Sequence, residues 1–411
     1  MPTLPKSTEG KILWARVPGF PRWFKQAAPK STQQELVEAF AKKYGETPSG
    51  PALESLRRTY RANQNADTLA RGKAKQPEET SAEKFDREAL TVQLRKLTKR
   101  QTFYEVVGAK IIEAVRATPS LPPVRPPQIK LAKGLSEEEA VLVISDVQAG
   151  ATTNSRETGG LGEFNTAVLL GEIQYLGDAV ESIRRYYPNV KKLHVWFNGD
   201  IVEGNTIFDG QVRETDMDVV TQVVFCVEHF ARLLYRLAHM FETVSCGGVV
   251  GNHGRIGRKG ELSPMANFDY MVYKWLAERT ASIPNIKWDI PETWWQVHEV
   301  QKHRFLCVHG DDTGAGTWGI PFYAVARHKH KYQEMLRRSG LPAIDYMIVG
   351  HHSEKAQFQD IICAGSWPGG TEFSIKRLQA LDIPTAPFFG VHEEHGVTWR
   401  RDIQLKKLRA R

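Results

Sequence analysis

Cysteine is scarce. The 411-residue chain has four, Cys226, Cys246, Cys307 and Cys363, and no two of them form a CxxC pair. This excludes a disulfide framework and leaves four reduced, mostly buried thiols as the expectation. Long apolar runs are missing too. Stretches such as Val141–Ile144 are strand-sized, far short of the roughly 20 residues that a membrane span needs. The opening MPTLPKSTEGK has no apolar core of the kind a secretion signal carries, so a cytoplasmic location is expected. No internal repeat is visible.

What is present is enough for a globular protein of more than one domain. Hydrophobic residues make up 41% and aromatics 10%, and the length exceeds what one ordinary core accommodates. Charge is unevenly spread. Residues 1–133 hold 25 Lys and Arg against 13 Asp and Glu, whereas the remainder holds 30 against 34. The positive balance thus belongs to the front third. Such asymmetry points to a polyanion-binding arm, with nucleic acid, DNA first, as the expected partner.

The front third divides by texture. Residues 1–63 read as a small all-α domain. Ser31 or Thr32 can cap a first helix, with Gln34 and Glu35 in capping-box positions, and Leu36, Val37, Phe40 and Tyr44 form its apolar stripe. GETPSGP breaks it. A second helix carries Leu53, Leu56 and Tyr60 on one side and Arg57, Arg58 and Arg61 near or beyond its edge. Helix, turn and Arg-rich helix resemble a helix-turn-helix, which would lay those three arginines in the major groove. The bland alternative is a helical hairpin with a solvated basic face. Residues 64–84 are polar and read as a linker. Residues 85–133 read as a helical connector, with Leu90, Leu94, Leu97, Tyr104, Ile111 and Val115 in three- and four-residue steps, followed by the Pro-rich SLPPVRPP. That seam serves either a dimer or, as we favour, packing on the next domain.

Over 134–411 short β-rich runs alternate with helical stretches. AVLVISD, KLHVWFNGD, TVSCGGVVGNHG, HRFLCVHGD and YMIVGHH each lead an apolar run straight into a polar cluster. Ligands gather at the carboxyl ends of strands in α/β sheets, so five such clusters imply one shared site. Singly, each has a structural explanation as a helix cap or a core histidine. The Asn-His pair after a buried run has little such rationale.

In order, the clusters are Asp146-Val-Gln148, Asn198-Gly199-Asp200 with Glu203, Gly251-Asn252-His253-Gly254-Arg255, His309-Gly310-Asp311, and Gly350-His351-His352-Ser353. The series resembles the motifs of the calcineurin-like metallophosphoesterases, D-x-H, GD-x-x-D, GNH-D/E, H and GH-x-H. It is most similar to phosphoesterases of phages and mobile elements and, more distantly, to the SbcD-type nucleases. The resemblance implies an α/β fold, a two-sheet β-sandwich flanked by helices, holding two divalent metal ions. By resemblance, Asp200 bridges both ions, Asn252, His309 and His351 complete one set, and Asp146 and Gln148 belong to the other. His253 corresponds to the non-ligand histidine that protonates the leaving group. Arg255 is a reasonable phosphate clamp.

Two departures fall on one ion. Gln148 stands where the family has His, and Ser353 stands where the last motif has its second His, with His352 as a replacement ligand. An oxygen-rich, weaker site is expected there, favouring Mn²⁺, or Mg²⁺, over Zn²⁺. Glu203 replaces an Asp that lies outside the ligand set. Gly254 replaces an acid, which leaves His253 without its expected orienting partner. The basic run Arg327-His328-Lys329-His330 reads equally as a contact to the substrate backbone or a solvated helix face. Trp294, Trp295 and Trp318 read as core or rim packing rather than base-stacking platforms, and AGSWPGGTEFS reads as a Gly-rich loop near the active-site face. The expected function is a metal-dependent phosphodiesterase acting on DNA. The alternatives are a phosphomonoesterase or small-molecule phosphodiesterase, and a DNA-binding protein with a weakened phosphoesterase domain.

Overall fold

The computed structural model describes residues 105–405, apart from 132, 135, 206, 208–210, 258, 314–319, 379–380 and 382, and before them only 35, 38, 39, 41 and 42, all helical. The chain divides into two compact units, Met1–Lys99 and Arg100–Arg411. The expected helix-turn-helix with Arg57, Arg58 and Arg61 and the 64–84 linker lie outside the described residues.

The second unit runs α1 (105–117), β1 (Glu138–Ile144), α2 (Thr166–Arg184), β2 (Val190–Asn198), α3 (Val219–Ala238), β3 (Thr243–Val249), α4 (Phe268–Thr280), β4 (Ile286–Asp289), β5 (Trp295–Val300), β6 (His303–Val308), α5 (Phe322–Arg338), β7 (Tyr346–Val349), β8 (Ala356–Phe358), β9 (Ile361–Cys363), β10 (Thr385–His392) and β11 (Gly396–Gln404). Two mixed sheets result, flanked by helices, as expected. One has the order β11-β10-β1-β2-β3-β4 and the other β5-β6-β7-β9-β8. β1 through β4 pair in parallel, as do β6, β7 and β9, while β10, β11, β5 and β8 run antiparallel to their neighbours.

Strand periodicity assigns each side chain to a layer. In β1, Ala140, Leu142 and Ile144 join the core beneath the helices, and Val141 and Val143 join the core between the sheets. β2 repeats this: Leu193, Val195 and Phe197 face the helices, and Trp196 faces the other sheet. There Trp196 stacks on His298 with ring centroids 4.7 Å apart. A third core lies beneath α5, from Leu306, Val308, Met347, Val349, Val325 and Leu336. Helix starts are marked by the side chains that cap them. Asn165 caps α2, Asp218 caps α3 and Asn267 caps α4, each accepting a backbone N–H from the first turn.

α1 packs Val107, Ile111 and Val115 into the helix-side core. This part of the predicted seam is therefore spent within the unit. All four cysteines are free and buried. Among the described residues no helix is long and apolar enough to cross a membrane.

Candidate metal centre

Each motif begins just past the carboxyl end of a parallel strand: Asp146 after β1, Asp200 after β2, Asn252 after β3, His309 after β6 and His351 after β7. A strand end frees the backbone from its ladder, and here the freed groups bond the loops to one another. Asp146 N–H donates to Gly199 O (3.0 Å), Gln148 N–H to Asp200 O (2.9 Å) and Gly350 N–H to His309 O (2.8 Å). His351 N–H donates to the Asp146 carboxylate at 3.0 Å, and His253 N–H to Asp200 Oδ1 at 2.7 Å. The price is backbone strain: Asp146, Gln148, Asp200, His351 and Ser353 all have positive φ, between 49° and 67°. Non-glycine residues rarely adopt that region, and where they do the surroundings must hold them there.

The side chains converge. Asp200, His309 and His351 bring one donor atom each within 4.8 Å of one another. His309 Nε2 lies 3.0 Å from Asp200 Oδ2 and 3.2 Å from Asn252 Oδ1. Its other nitrogen, Nδ1, lies 3.0 Å from Asn198 O, a carbonyl that can only accept, so Nδ1 carries a hydrogen. A neutral His309 would then aim the Nε2 lone pair at a carboxylate oxygen, which has no hydrogen to offer. Only positive charge resolves that contact. Burial opposes a charged ring, but the adjacent Asp200 outweighs it and raises the His309 pKa to about 10. A divalent cation meets the same demand with the lone pair used as a ligand, and a ligating histidine bonded through its other nitrogen to a carbonyl is the usual arrangement. The donor set therefore fits a metal ion.

The remaining charges follow from crowding in a buried space. For Asp200 burial works against ionisation, yet His309 and His253 outweigh it and hold the carboxyl well below the usual range. Asp146, also fully buried, is pushed up to about 6 by burial, with Asp200 adding to the rise. His351 falls to about 4, through burial first and then the charge on His309.

No family model matches the chain, and none of the curated proteins matches it. Among solved structures, it is similar to wild-type Vps29 of Entamoeba histolytica, complexed with Zn²⁺, at 14% identity over 64% of this chain and 98% of that one, with a TM-score of 0.29. It is also similar to phosphopantetheinyl hydrolase of Mycobacterium tuberculosis, at 10% identity over 67% of this chain and all of that one, with a TM-score of 0.25. Likenesses this distant leave the chemistry to the side chains.

His253 lies beside the cluster, with Nε2 3.9 Å from Asp200 Oδ2. Its Nδ1 is 2.9 Å from Glu203 Oε2. The glycine at 254 therefore does not leave His253 unoriented, because Glu203 supplies the carboxylate from the preceding motif. Gln211 in turn donates to Glu203 Oε1 at 2.9 Å. Burial would lower the His253 pKa, but Asp200 and Glu203 outweigh it and raise it to about 9.

The other candidates are placed less centrally. Gln148 and Ser353 stand at strained positions in their loops. His352 turns aside, its Nε2 3.0 Å from the Thr313 hydroxyl, which itself donates to Gly310 O. Arg255 pairs with Asp311 at 3.0 Å, and Lys259 pairs with Asp311 and Asp312. The basic run on α5 divides. Arg327 and His330 are exposed, but Lys329 is buried and donates to Asp345 O and the Asp360 carboxylate. Trp294 is exposed and donates to the Tyr332 hydroxyl, and Trp295 lies near the same ring. Trp318 lies outside the described residues. Within the Gly-rich segment, Trp367 is buried and its backbone N–H donates to Asp146 O at 3.0 Å, which ties this loop to the first motif.

Proposed function

We propose that the chain is a metal-dependent phosphodiesterase that hydrolyses DNA. The observation that carries this reading is His309 Nε2, aimed at Asp200 and Asn252 oxygens within a cluster that also brings in His351. One divalent cation would be held by Asp200, Asn252, His309 and His351. A second would be held by Asp146, Gln148 and Asp200, with Ser353 at the edge of the set. The second set offers only oxygens among its protein donors, which favours Mn²⁺ or Mg²⁺ and makes it the weaker site. Bound cations supply positive charge to the phosphoryl oxygens and a water that ionises near neutral pH.

The chain's own groups supply the rest. Glu203 holds the Nδ1–H side of His253, which leaves Nε2–H to donate to the leaving oxygen and pass its proton there as the P–O bond breaks. Arg255, kept at the rim by Asp311, donates to a phosphoryl oxygen. DNA as the substrate rests on the basic front third, whose charge suits a phosphate backbone.

The test is hydrolysis of p-nitrophenyl phosphate, its bis ester and single-stranded DNA, side by side with Mn²⁺. The bis ester and DNA should be cut and the monoester spared. Asp200→Ala should abolish turnover and His253→Ala should reduce cleavage of DNA, whose leaving alkoxide needs a proton, by ~10²–10⁴, with DNA binding intact and falling steeply with salt. Cleavage of the monoester alone would make the chain a phosphomonoesterase. DNA binding without turnover by the wild type would make it a binding protein.

A further inference from the structure

Asp269 is absent from every motif named above, yet it touches two of them. It lies in the first turn of α4 with no exposed surface. Its Oδ2 accepts the N–H of Asp200 and the N–H of Gly251, each at 2.9 Å. Its Oδ1 accepts from Ile201 at 3.0 Å and Val202 at 3.2 Å. One carboxylate thus ties the loop after β2, which carries Asp200, to the loop after β3, which carries Asn252 and His253.

The fit around it is close. A Cβ added at Gly251 would stand 2.1 Å from Asp200 Oδ1. One added at Gly254 would stand 2.3 Å from Asn267 Oδ1 and 3.1 Å from the Asp269 carboxyl carbon. Gly251 leaves room for the Asp200 carboxylate, and Gly254 leaves room for the start of α4. Asn267 locks that start in place by capping Asp269 N–H and donating to Gly251 O, both at 2.8 Å. Four backbone donors on one anion leave little freedom, since a buried donor left without a partner is destabilising.

We infer that Asp269 is a positioning residue for the metal centre: it fixes the spacing of Asp200 and Asn252 so that both face one cation. The inference rests on the metal-dependent reading above. It makes Asp269 an outer partner of two ligand loops at once, through the backbone rather than through a ligand side chain.

Isothermal titration of Mn²⁺ into the full chain, wild type against Asp269→Asn, tests it, beside melting curves in chelator. The amide keeps the shape but turns an NH₂ toward one pair of N–H groups whichever way it flips. Mn²⁺ affinity should fall ~10–100-fold, the usual cost of losing an outer-shell partner. A purely structural role would lower the melting point in chelator and leave the Mn²⁺ affinity of the folded protein unchanged, which would overturn the inference. A wild-type chain that takes up no Mn²⁺ would instead overturn the metal reading itself. Should Asp269→Asn fail to fold, Asp269→Glu, which keeps the charge and moves it by one methylene, goes through the same titration with the same expectation.

Discussion

Replacing Glu203 by Gln asks whether His253 works as an acid or only lines the site. Glu203 Oε2 stands 2.9 Å from His253 Nδ1, while Oε1 accepts from Gln211 Nε2. The new amide must keep its oxygen toward Gln211, because two NH₂ groups cannot bond each other there. Its own NH₂ then meets His253 Nδ1, which has to give up its proton to accept. What is lost is one charge-assisted hydrogen bond, worth about 1.5–3 kcal/mol. At about 1.4 kcal/mol per decade, that is a ~10–100-fold fall in kcat. The fall should depend on the leaving group: p-nitrophenolate departs without a proton, whereas the alkoxide of a dinucleotide needs one. The assay compares kcat and KM of wild type and Glu203→Gln on bis-p-nitrophenyl phosphate and on a dinucleotide phosphodiester. The drop should fall on kcat for the dinucleotide and largely spare the activated ester. Equal losses on both esters, or a raised KM with kcat unchanged, would refute the assignment of His253 as the proton donor.

Two further predictions concern stability. Lys329→Met leaves Asp345 O and Asp360 without their ammonium partner. Because Asp360 is 44% exposed, water softens the loss, and urea unfolding should show a cost of about 1–3 kcal/mol. Turnover per folded molecule should stay the same, and reduced turnover at unchanged stability would place Lys329 on the substrate. His298, stacked on Trp196, has its pKa driven down to about 3 by burial. A folded value below the unfolded 6.5 means its contribution is whole above that pH and is lost as pH falls toward 3. Between pH 6.5 and 5 the loss is at most ~2 kcal/mol, less to the extent that water reaches the ring. His298→Phe should flatten the fall of melting temperature over that range. His194, which burial shifts the same way, keeps its share. An unchanged acid slope would show that other groups set it.

Much of the layout was legible because it is written in short-range pattern. β1 and β2 alternate their side chains between two cores, and each motif follows an apolar run that ends in a turn-forming cluster. Where a strand stops and which residues follow it are local facts, so the five polar clusters could be placed from the chain alone, and the family resemblance then picked Asp146, Asp200, Asn252, His309 and His351 out of them. The alternation of β-rich and helical stretches marked the α/β class, while the two sheets with flanking helices were what the family resemblance implied.

Pairing across loops was not legible, because nothing local encodes it. Glu203 meets His253 only when the β2 and β3 loops lie side by side, fifty positions apart in the chain. Asp269 reads in the sequence as an ordinary first-turn acid of a helix, and Trp367 as one aromatic among glycines. His352, adjacent to a candidate ligand, is taken by Thr313, and Lys329, within a basic run, is folded inward. The amino-acid sequence by itself determined which residue types arrive at the strand ends and in what order, since period and turn chemistry act over a few residues. Tertiary structure alone decided which of those side chains share a hydrogen, a charge or a backbone donor. Such contacts depend on how sheets and loops are packed, and packing couples residues at any distance along the chain.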